Sequence, residues 1–137
     1  MPVFPSSEWI DAFCAELAGH PRAAQAATNL GGVYRFVVEP AGPLHDRRTY
    51  EVLLDARDGR AHAEQVTGTP SPRVAVRTDY GRWRQLLEAR LDLGPALLFG
   101  RLRLTGDMAA LMRSRDDVDV VVDALRRVDT TWLDDRS

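Results

Sequence analysis

The stretch FGRLRLTGDMAALM, residues 99–112, carries the most specific pattern in this chain of 137 residues. Two glycines enclose a short run in which basic and apolar residues alternate, and a period of two is the pattern of a β-strand. Leu102 and Leu104 are therefore predicted to point into the core, with the neighbouring arginines in solvent. Asp107 is a favourable N-cap for the helix that the following apolar residues predict. The stretch thus predicts a strand, a tight turn and a helix in succession.

Helices and strands are predicted before this stretch as well. Apolar residues recur at helical spacing from Ile10 to Leu17, behind the N-cap candidates Ser6 and Ser7, and a short alanine-rich helix is predicted after Pro21. The hydrophobic period then falls to two, which predicts three consecutive antiparallel strands joined by turns. These strands are predicted at residues 33–39, 49–55 and 60–66.

A further strand and further helices are predicted in the second half of the chain. The strand lies at residues 74–76. Asp79 is a favourable N-cap for an amphipathic helix that contains Trp83 and extends to Leu91, and a short apolar helical turn is predicted at residues 96–99. These elements lead directly into the strand of the opening stretch.

The last apolar segment, residues 116–128, fits two structures. Its β-branched valines favour a strand. The apolar residues from Val118 to Val128, however, also fall on one helical stripe. Acidic residues at the start of the segment and the Arg126-Arg127 pair near its end match the preference of the helix dipole. The segment is therefore predicted to be a helix.

Composition and charge restrict the class of protein. With 45% hydrophobic residues and a formal net charge of −2, a chain of this length is predicted to form one globular domain, residues 1–137. It has no lysine, and its arginines are interleaved with acidic residues, so nucleic-acid binding is not expected. One cysteine cannot form an internal disulfide, and neither a signal peptide nor a membrane span is recognised. A cytoplasmic location is expected.

The residue types that carry catalysis or bind metals do not form a recognisable motif. The histidines, His20, His45 and His62, lack the spacing of metal ligands, and no nucleophile elbow, Walker loop or dinucleotide fingerprint is present. Catalytic residues, metals and cofactors are therefore not predicted. Four carboxylates on the predicted strands could in principle form an acid–base pair, but they are expected to face solvent. They are Glu39, Glu51, Asp55 and Glu64.

The opening stretch and the Asp-Tyr-x-x-Trp helix before it resemble the hallmark of the sterol carrier protein type 2 family. In that family a Gly, a basic-apolar-basic-apolar strand and a Gly-Asp or Gly-Asn turn lead into an apolar helix, and the order of the upstream elements also agrees. The resemblance implies an α+β fold, in which helices pack on one face of a five-stranded, mostly antiparallel sheet and enclose an apolar tunnel. It implies binding and carriage of fatty acids, acyl-CoA thioesters or sterol-like molecules without catalysis.

The C-terminal segment departs from the eukaryotic members of that family. The sequence ends in WLDDRS, without the peroxisomal Ser-Lys-Leu type of ending. An acidic, valine-rich stretch also replaces the Gln-rich apolar segment of those relatives. These differences favour a stand-alone bacterial member of the family and make sterol itself a less favoured ligand.

The resemblance also implies which residues contact a ligand, all of them apolar side chains from the second half of the chain. For each of them, an ordinary place in the core is the alternative. Met108 and Met112 are favoured because flexible thioethers adapt to varied ligands, and a Met112→Trp change is expected to block long ligands. The candidate wall residues are Trp83, Leu87, Leu97, Leu98, Phe99, Met108, Leu111, Met112, Val118, Val122 and Leu125.

Two other functions remain open at this stage. The chain could be an accessory subunit that binds a partner enzyme or presents a hydrophobic intermediate to it, which exposure of Trp9 or Trp132 would favour. It could also be an enzyme that acts on a small apolar substrate, with Tyr34, Tyr50 or a strand carboxylate as the acid–base group. The expected partners are an apolar small molecule and, for an accessory subunit, a partner enzyme, with at most transient membrane contact.

Overall fold

The computed structural model describes residues 1–98 and 100–135. A two-residue strand, β1, precedes two helices, and three long strands follow. A fourth long strand leads into the helical second half of the chain, which ends in a two-residue strand and a 3-10 turn. The strands are β1 (Val3–Phe4), β2 (Gly32–Glu39), β3 (Arg48–Arg57), β4 (Arg60–Val66), β5 (Val74–Asp79), β6 (Arg103–Gly106) and β7 (Thr131–Trp132). The helices are α1 (Ser7–Ala18), α2 (Ala23–Leu30), α3 (Tyr80–Leu87), α4 (Leu93–Leu98), α5 (Met108–Arg113) and α6 (Arg115–Arg127), and the 3-10 turn is Leu133–Asp135.

Five strands form one sheet in the order β4-β3-β2-β5-β6. The β2–β5 pair is parallel, and the other three pairs are antiparallel. The predicted α+β architecture with a mostly antiparallel sheet is therefore confirmed. The predicted hairpins form β2 to β4, and residues 67–73 then cross the sheet so that β5 adds to the free side of β2.

Local sequence signals account for the starts of α1 and α5. The Ser6 hydroxyl accepts a hydrogen bond from the Trp9 amide at 3.1 Å, and a carboxylate oxygen of Asp107 accepts one from the Ala110 amide at 3.1 Å. Both are N-cap contacts of the kind that Ser and Asp favour. The ambiguous segment 116–128 is helical, since α6 spans Arg115–Arg127. The helix prediction for that segment is confirmed.

Two predicted boundaries are wrong, each for a local reason. The last strand of the sheet starts at Arg103 rather than Arg101, because the amides of Arg101 and Leu102 both donate to the carbonyl of Ala96, at 2.8 and 3.2 Å. The helix that starts after Asp79 ends at Leu87 and does not reach Leu91. Ala89, with φ of 60°, turns the chain there.

Aromatic side chains fill the core between the sheet and the helices. The centroid of the Phe4 ring lies 4.9 Å from that of the Trp9 ring and 5.5 Å from that of the Trp132 ring. The ring centroids of Phe36 and Trp83 are 5.9 Å apart. The terminal strands β1 and β7 pair in parallel beside this cluster, a contact that the sequence did not indicate. Within the described residues, no helix has the length and hydrophobicity needed to cross a bilayer.

Candidate ligand-binding cavity

An apolar cavity lies between one face of the sheet and the helices. The space between the atoms that line it is about 590 Å³, a figure that includes open solvent, so the enclosed part is smaller. The sheet provides its floor, and helices α2, α3, α5 and α6 provide its walls. The lining residues are Leu30, Tyr34, Phe36, Val74, Val76, Trp83, Leu86, Leu102, Leu104, Leu111, Val118, Val121, Val122 and Leu125.

The floor is built from alternate residues of three neighbouring strands. In the sheet register Tyr34 lies opposite Val74, and Phe36 and Leu104 lie on either side of Val76. Since side chains alternate between the two faces of a sheet, these five residues share one face. The alternation that predicted the strands therefore also produces a continuous apolar floor.

One face of α6 forms the largest wall. Val118, Val121, Val122 and Leu125 line the cavity, and this spacing places them on one side of the helix. The adjacent side of α6 carries Val120 and Ala124, which are buried in the core. The helix thus has one side in the core and another at the cavity.

Polar contacts at several points fix the position of α6. The Asn29 amide donates to Asp117 at 2.9 Å, which joins α2 to the first turn of α6. His20 Nε2 and Asp123 Oδ2 are 2.8 Å apart, and the backbone amide of Arg22 donates to His20 Nδ1. Nε2 is therefore the nitrogen that donates to Asp123 when the ring is neutral. The cavity wall is consequently held from the side that faces away from the cavity.

The two lining residues with polar side-chain atoms use those atoms elsewhere. The Trp83 indole nitrogen donates to the carbonyl of Val37 at 2.9 Å. The Tyr34 hydroxyl donates to the carbonyl of Leu30, and burial raises the pKa of Tyr34 to about 12. Burial also raises the pKa of Tyr50. Neither tyrosine provides an ionised oxygen at neutral pH, so the described residues of the cavity wall include no group suited to act as a base.

Five of the residues predicted to contact a ligand lie together in the cavity wall: Trp83, Leu111, Val118, Val122 and Leu125. Leu87 is buried and Leu97 packs against the core, but neither lines the cavity. Leu98 belongs to α4, and its side chain lies outside the described part of the chain, as does the whole of Phe99.

The two methionines that the sequence favoured lie outside the cavity wall. Met108 is 38% exposed and Met112 is 72% exposed, so their helix presents them to solvent while Leu111 faces the cavity. A tryptophan at position 112 is therefore expected to point into solvent. The blocking effect predicted for that change is expected instead at Val122, which lines the cavity.

Sequence reasoning missed the floor of the cavity and part of its walls. Most of the missed residues are predicted from the sequence only as parts of apolar strand and helix faces, and Tyr34 only as a candidate acid–base group. The signal for them was the same alternation that indicates a core, and alternation does not distinguish a packed core from a hollow one. The missed lining residues are Leu30, Tyr34, Phe36, Val74, Val76, Leu86, Leu102, Leu104 and Val121.

The strand carboxylates that could have formed an acid–base pair are not among the lining residues. Glu51 was expected to face solvent, but it is only 7% exposed. Arg35 Nη2 lies 3.0 Å from its carboxylate, and the backbone amide of Thr69 donates to the same group at 3.1 Å. The expectation failed because the crossover of residues 67–73 covers this part of the outer face. Among the described residues, no group of three His, Cys, Asp or Glu side chains could hold a metal ion.

Comparisons with known proteins agree with this fold. The model of the SCP-2 sterol transfer family matches residues 10–118. A protein from Thermus thermophilus, described as possibly a sterol carrier protein, is 26% identical with a TM-score of 0.69, over 92% of this chain and 90% of that one. A crystal structure of sterol carrier protein 2 is 27% identical with a TM-score of 0.68, over 90% of this chain and 97% of that one.

A third solved structure shows the fold alone. UbiJ-SCP2, a ubiquinone synthesis protein, is 16% identical, with a TM-score of 0.52 over 92% of this chain and 93% of that one. No curated protein sequence matches the chain significantly.

Proposed function

Because the chain belongs to the SCP-2 sterol transfer family, we propose that it binds a lipid or another apolar ligand in the cavity and carries it without catalysis. The observation that carries this proposal is the continuous apolar lining contributed by both the sheet and the helices. A cavity of this kind binds through buried area rather than through a few polar contacts.

The lining also restricts how a ligand enters. Leaving a buried polar group without a partner costs about 1–3 kcal/mol, and the polar atoms of Tyr34 and Trp83 already have partners. The part of the ligand inside the cavity is therefore a hydrocarbon, and a carboxylate, thioester or hydroxyl head stays at the opening. Each buried methylene contributes up to about 0.8 kcal/mol before the costs of binding are subtracted.

We propose that the residues predicted from the sequence and found in the wall contact the ligand: Trp83, Leu111, Val118, Val122 and Leu125. Met108 and Met112, on the exposed side of α5, would contact only a part of the ligand that projects from the cavity. A fatty acid, an acyl-CoA thioester and a sterol-like molecule each have a hydrocarbon part that can enter the cavity, so these are the ligands to test.

A chain-length series with fluorescent fatty acids tests the proposal. Affinity is expected to rise with chain length and then level off when the cavity is full. Val122→Trp fills part of the cavity, so it should weaken the binding of long chains about tenfold or more, which corresponds to about two methylenes. Met112→Trp, the matched control on the exposed face of α5, should leave affinity within about twofold.

Thermal unfolding of both variants checks that they are folded. A flat chain-length series in the wild type would contradict binding in the cavity. Equal losses in the two tryptophan variants would mean that Val122 does not line the ligand site.

The accessory-subunit alternative has weaker support. Trp9 and Trp132, whose exposure would have favoured it, are 1% and 7% exposed. The feature that favours it is the pair Met108 and Met112, which lie four residues apart on the exposed side of α5, because neighbouring exposed apolar side chains can form a contact surface. A stable complex that is lost in Met112→Glu, with ligand binding unchanged, would support this alternative.

A further inference from the structure

The face of the sheet that points away from the cavity carries an open groove, which we call the arginine groove. Its volume is about 730 Å³, including open solvent, and its lining includes Arg35, Arg47, Arg77, Thr49 and Thr69. Side chains of β2 and β5 alternate between the two faces of the sheet. Phe36 and Val76 line the cavity, whereas Arg35 and Arg77 line the groove. The groove is therefore a site separate from the cavity.

A buried carboxylate fixes the first guanidinium of the groove. Arg35 Nε and Nη2 lie 3.1 and 3.0 Å from Glu51 Oε2, and the Glu51 side chain is only 8% exposed. Arg35 Nη2 also donates to the carbonyl of Thr69 at 2.6 Å. The Nη1 group is not used in these contacts. Arg35 is thus held in one orientation while its Nη1 group can still donate to a ligand. Less side-chain entropy is therefore lost when a ligand binds.

A second carboxylate holds two more arginines through one nitrogen each. Glu39 Oε1 lies 2.9 Å from Arg47 Nε and 2.7 Å from Arg77 Nε. The Glu39 side chain is 21% exposed, whereas those of Arg47 and Arg77 are 56% and 46% exposed. The Nη groups of both arginines take no part in these contacts with Glu39. The Glu39 carboxylate thus fixes Arg47 and Arg77 through their Nε atoms, and their Nη groups stay available to donate hydrogen bonds to an oxyanion.

A fourth arginine, Arg103, lies beside the groove and adds positive charge to this part of the sheet. Arg103 is the direct cross-strand partner of Arg77, a like-charge pairing that is normally destabilising. No ion pair of Arg103 is found among the described residues. Four guanidinium groups against Glu39 and Glu51 leave two positive charges, in a chain whose formal charge is −2. The next carboxylate on β5, Asp79, pairs with a different arginine, Arg82, at 3.5 Å.

We propose that the arginine groove binds a phosphate dianion, supplied either by a soluble phosphate ester or by a phospholipid head group. Two excess charges match a dianion, guanidinium groups bind phosphate oxygens in pairs, and the Thr49 hydroxyl adds a neutral donor. A bound phosphate also relieves the repulsion between Arg77 and Arg103. This site lies on the face opposite the apolar cavity, so its existence does not depend on lipid binding there.

Phosphate titration of the ¹⁵N-labelled full chain tests the site, at constant ionic strength maintained with sodium chloride. Saturable amide shifts are expected at Thr49, Gly68, Thr69 and Arg77 in the wild type. The double variant Arg77→Gln/Arg103→Gln should weaken phosphate binding at least about tenfold. Arg57→Gln is the matched control, since Arg57 pairs with Asp55 on β3 and does not line the groove. The phosphate affinity of this variant should stay within about twofold of the wild type.

Vesicle sedimentation distinguishes the two sources. If the phosphate belongs to a lipid head group, the wild-type protein should sediment with vesicles of phosphatidylcholine and phosphatidic acid but not with vesicles of phosphatidylcholine alone. The double variant should then no longer sediment with either kind of vesicle. Saturable phosphate binding without retention would identify a soluble phosphate ester. Shifts that do not saturate, or an equal loss in Arg57→Gln and the double variant, would overturn the proposal. Fatty-acid binding should be unchanged in the double variant.

Discussion

At the scale of single residues, Tyr34 decides whether the cavity wall is polar. Its ring lines the cavity, but its hydroxyl donates to the carbonyl of Leu30 at the end of α2. Burial raises its pKa from 10.0 to about 12, because the phenolate would lose its hydration in this position. The residue therefore contributes apolar area and joins the sheet to a helix.

The raised pKa of Tyr34 predicts a loss of stability at alkaline pH. The stabilising contribution is fully present below pH 10.0, the ordinary value of the phenol, and is lost as the pH rises towards about 12. In that range the unfolded chain has released the proton that the folded chain retains, so the free energy of unfolding falls with pH. Denaturant unfolding at a series of alkaline pH values should show this fall, and the slope should be smaller in Tyr34→Phe.

Cys14 must be separated from this effect. Burial raises the pKa of its thiol from 9.0 to about 12, with contributions from Asp11 and Glu64, and this shift has the same sign. The comparison is therefore made in a Cys14→Ala background, with Tyr34→Phe as the only further change. An unchanged alkaline slope in Tyr34→Phe would show that the hydroxyl of Tyr34 is not buried in solution.

Helical spacing in the sequence indicated which side chains of α5 and α6 face the cavity, whereas the preference for the methionines did not rest on spacing. Leu111, Val118, Val122 and Leu125 occupy the inward stripe of their helices and line the cavity. Met112 was favoured for its chemistry, although a six-residue helix such as α5 has room for few buried positions. Flexibility of a side chain gives no information about the direction in which its helix presents it.

At the scale of elements, the end of α3 explains a wrong boundary. The Ala89 amide donates to the carbonyl of Leu86, and the Arg90 amide donates to that of Gln85 at 2.8 Å. These two bonds form a Schellman motif, with Ala89 at the position where φ is positive and glycine is normally found. An alanine at this position gives no sequence signal for a helix end, so the apolar stripe predicted a longer helix.

Ala89→Gly is expected to stabilise the protein. The left-handed backbone conformation costs a residue with a Cβ about 1–2 kcal/mol, and glycine removes this strain from the folded state. Glycine also gives the unfolded chain more conformational entropy, which offsets about 0.5–1 kcal/mol of the gain. The two ranges leave a net gain of up to about 1.5 kcal/mol, and about 0.75 kcal/mol at their midpoints, in the free energy of unfolding measured with denaturant. Ala15→Gly, at an exposed position inside α1, is the control and should destabilise by about 1 kcal/mol. A loss of stability in both variants would contradict the left-handed conformation of Ala89.

The crossover of residues 67–73 is the element that the sequence described least well. Its Gly and Pro residues indicated a loop, but they contained no information about the strand beside which the chain would continue. The contacts of Arg35 with Glu51 and with Thr69 join residues far apart in the chain. Pairings of this kind depend on tertiary structure, which explains why Glu51 was expected in solvent and is instead buried.

At the scale of the whole molecule, one sheet separates two surfaces of different chemistry. The inner face forms an apolar cavity with the helices, and the outer face carries the arginine groove. The hydrophobic periods predicted the order of the main strands and helices, and the resemblance of residues 99–112 to a known motif indicated the family. The hollow space could not, since it depends on how far α6 lies from the sheet and not on the polarity of any residue.

The central claim is that the cavity holds a lipid, and native mass spectrometry of the purified full chain tests it most directly. Organic extraction and identification of the released molecules complete the measurement. We expect a co-purified fatty acid or other apolar molecule at near-equal stoichiometry, displaced by added long-chain fatty acid and reduced in Val122→Trp. A ligand-free protein that also fails to take up fluorescent acyl chains would contradict it.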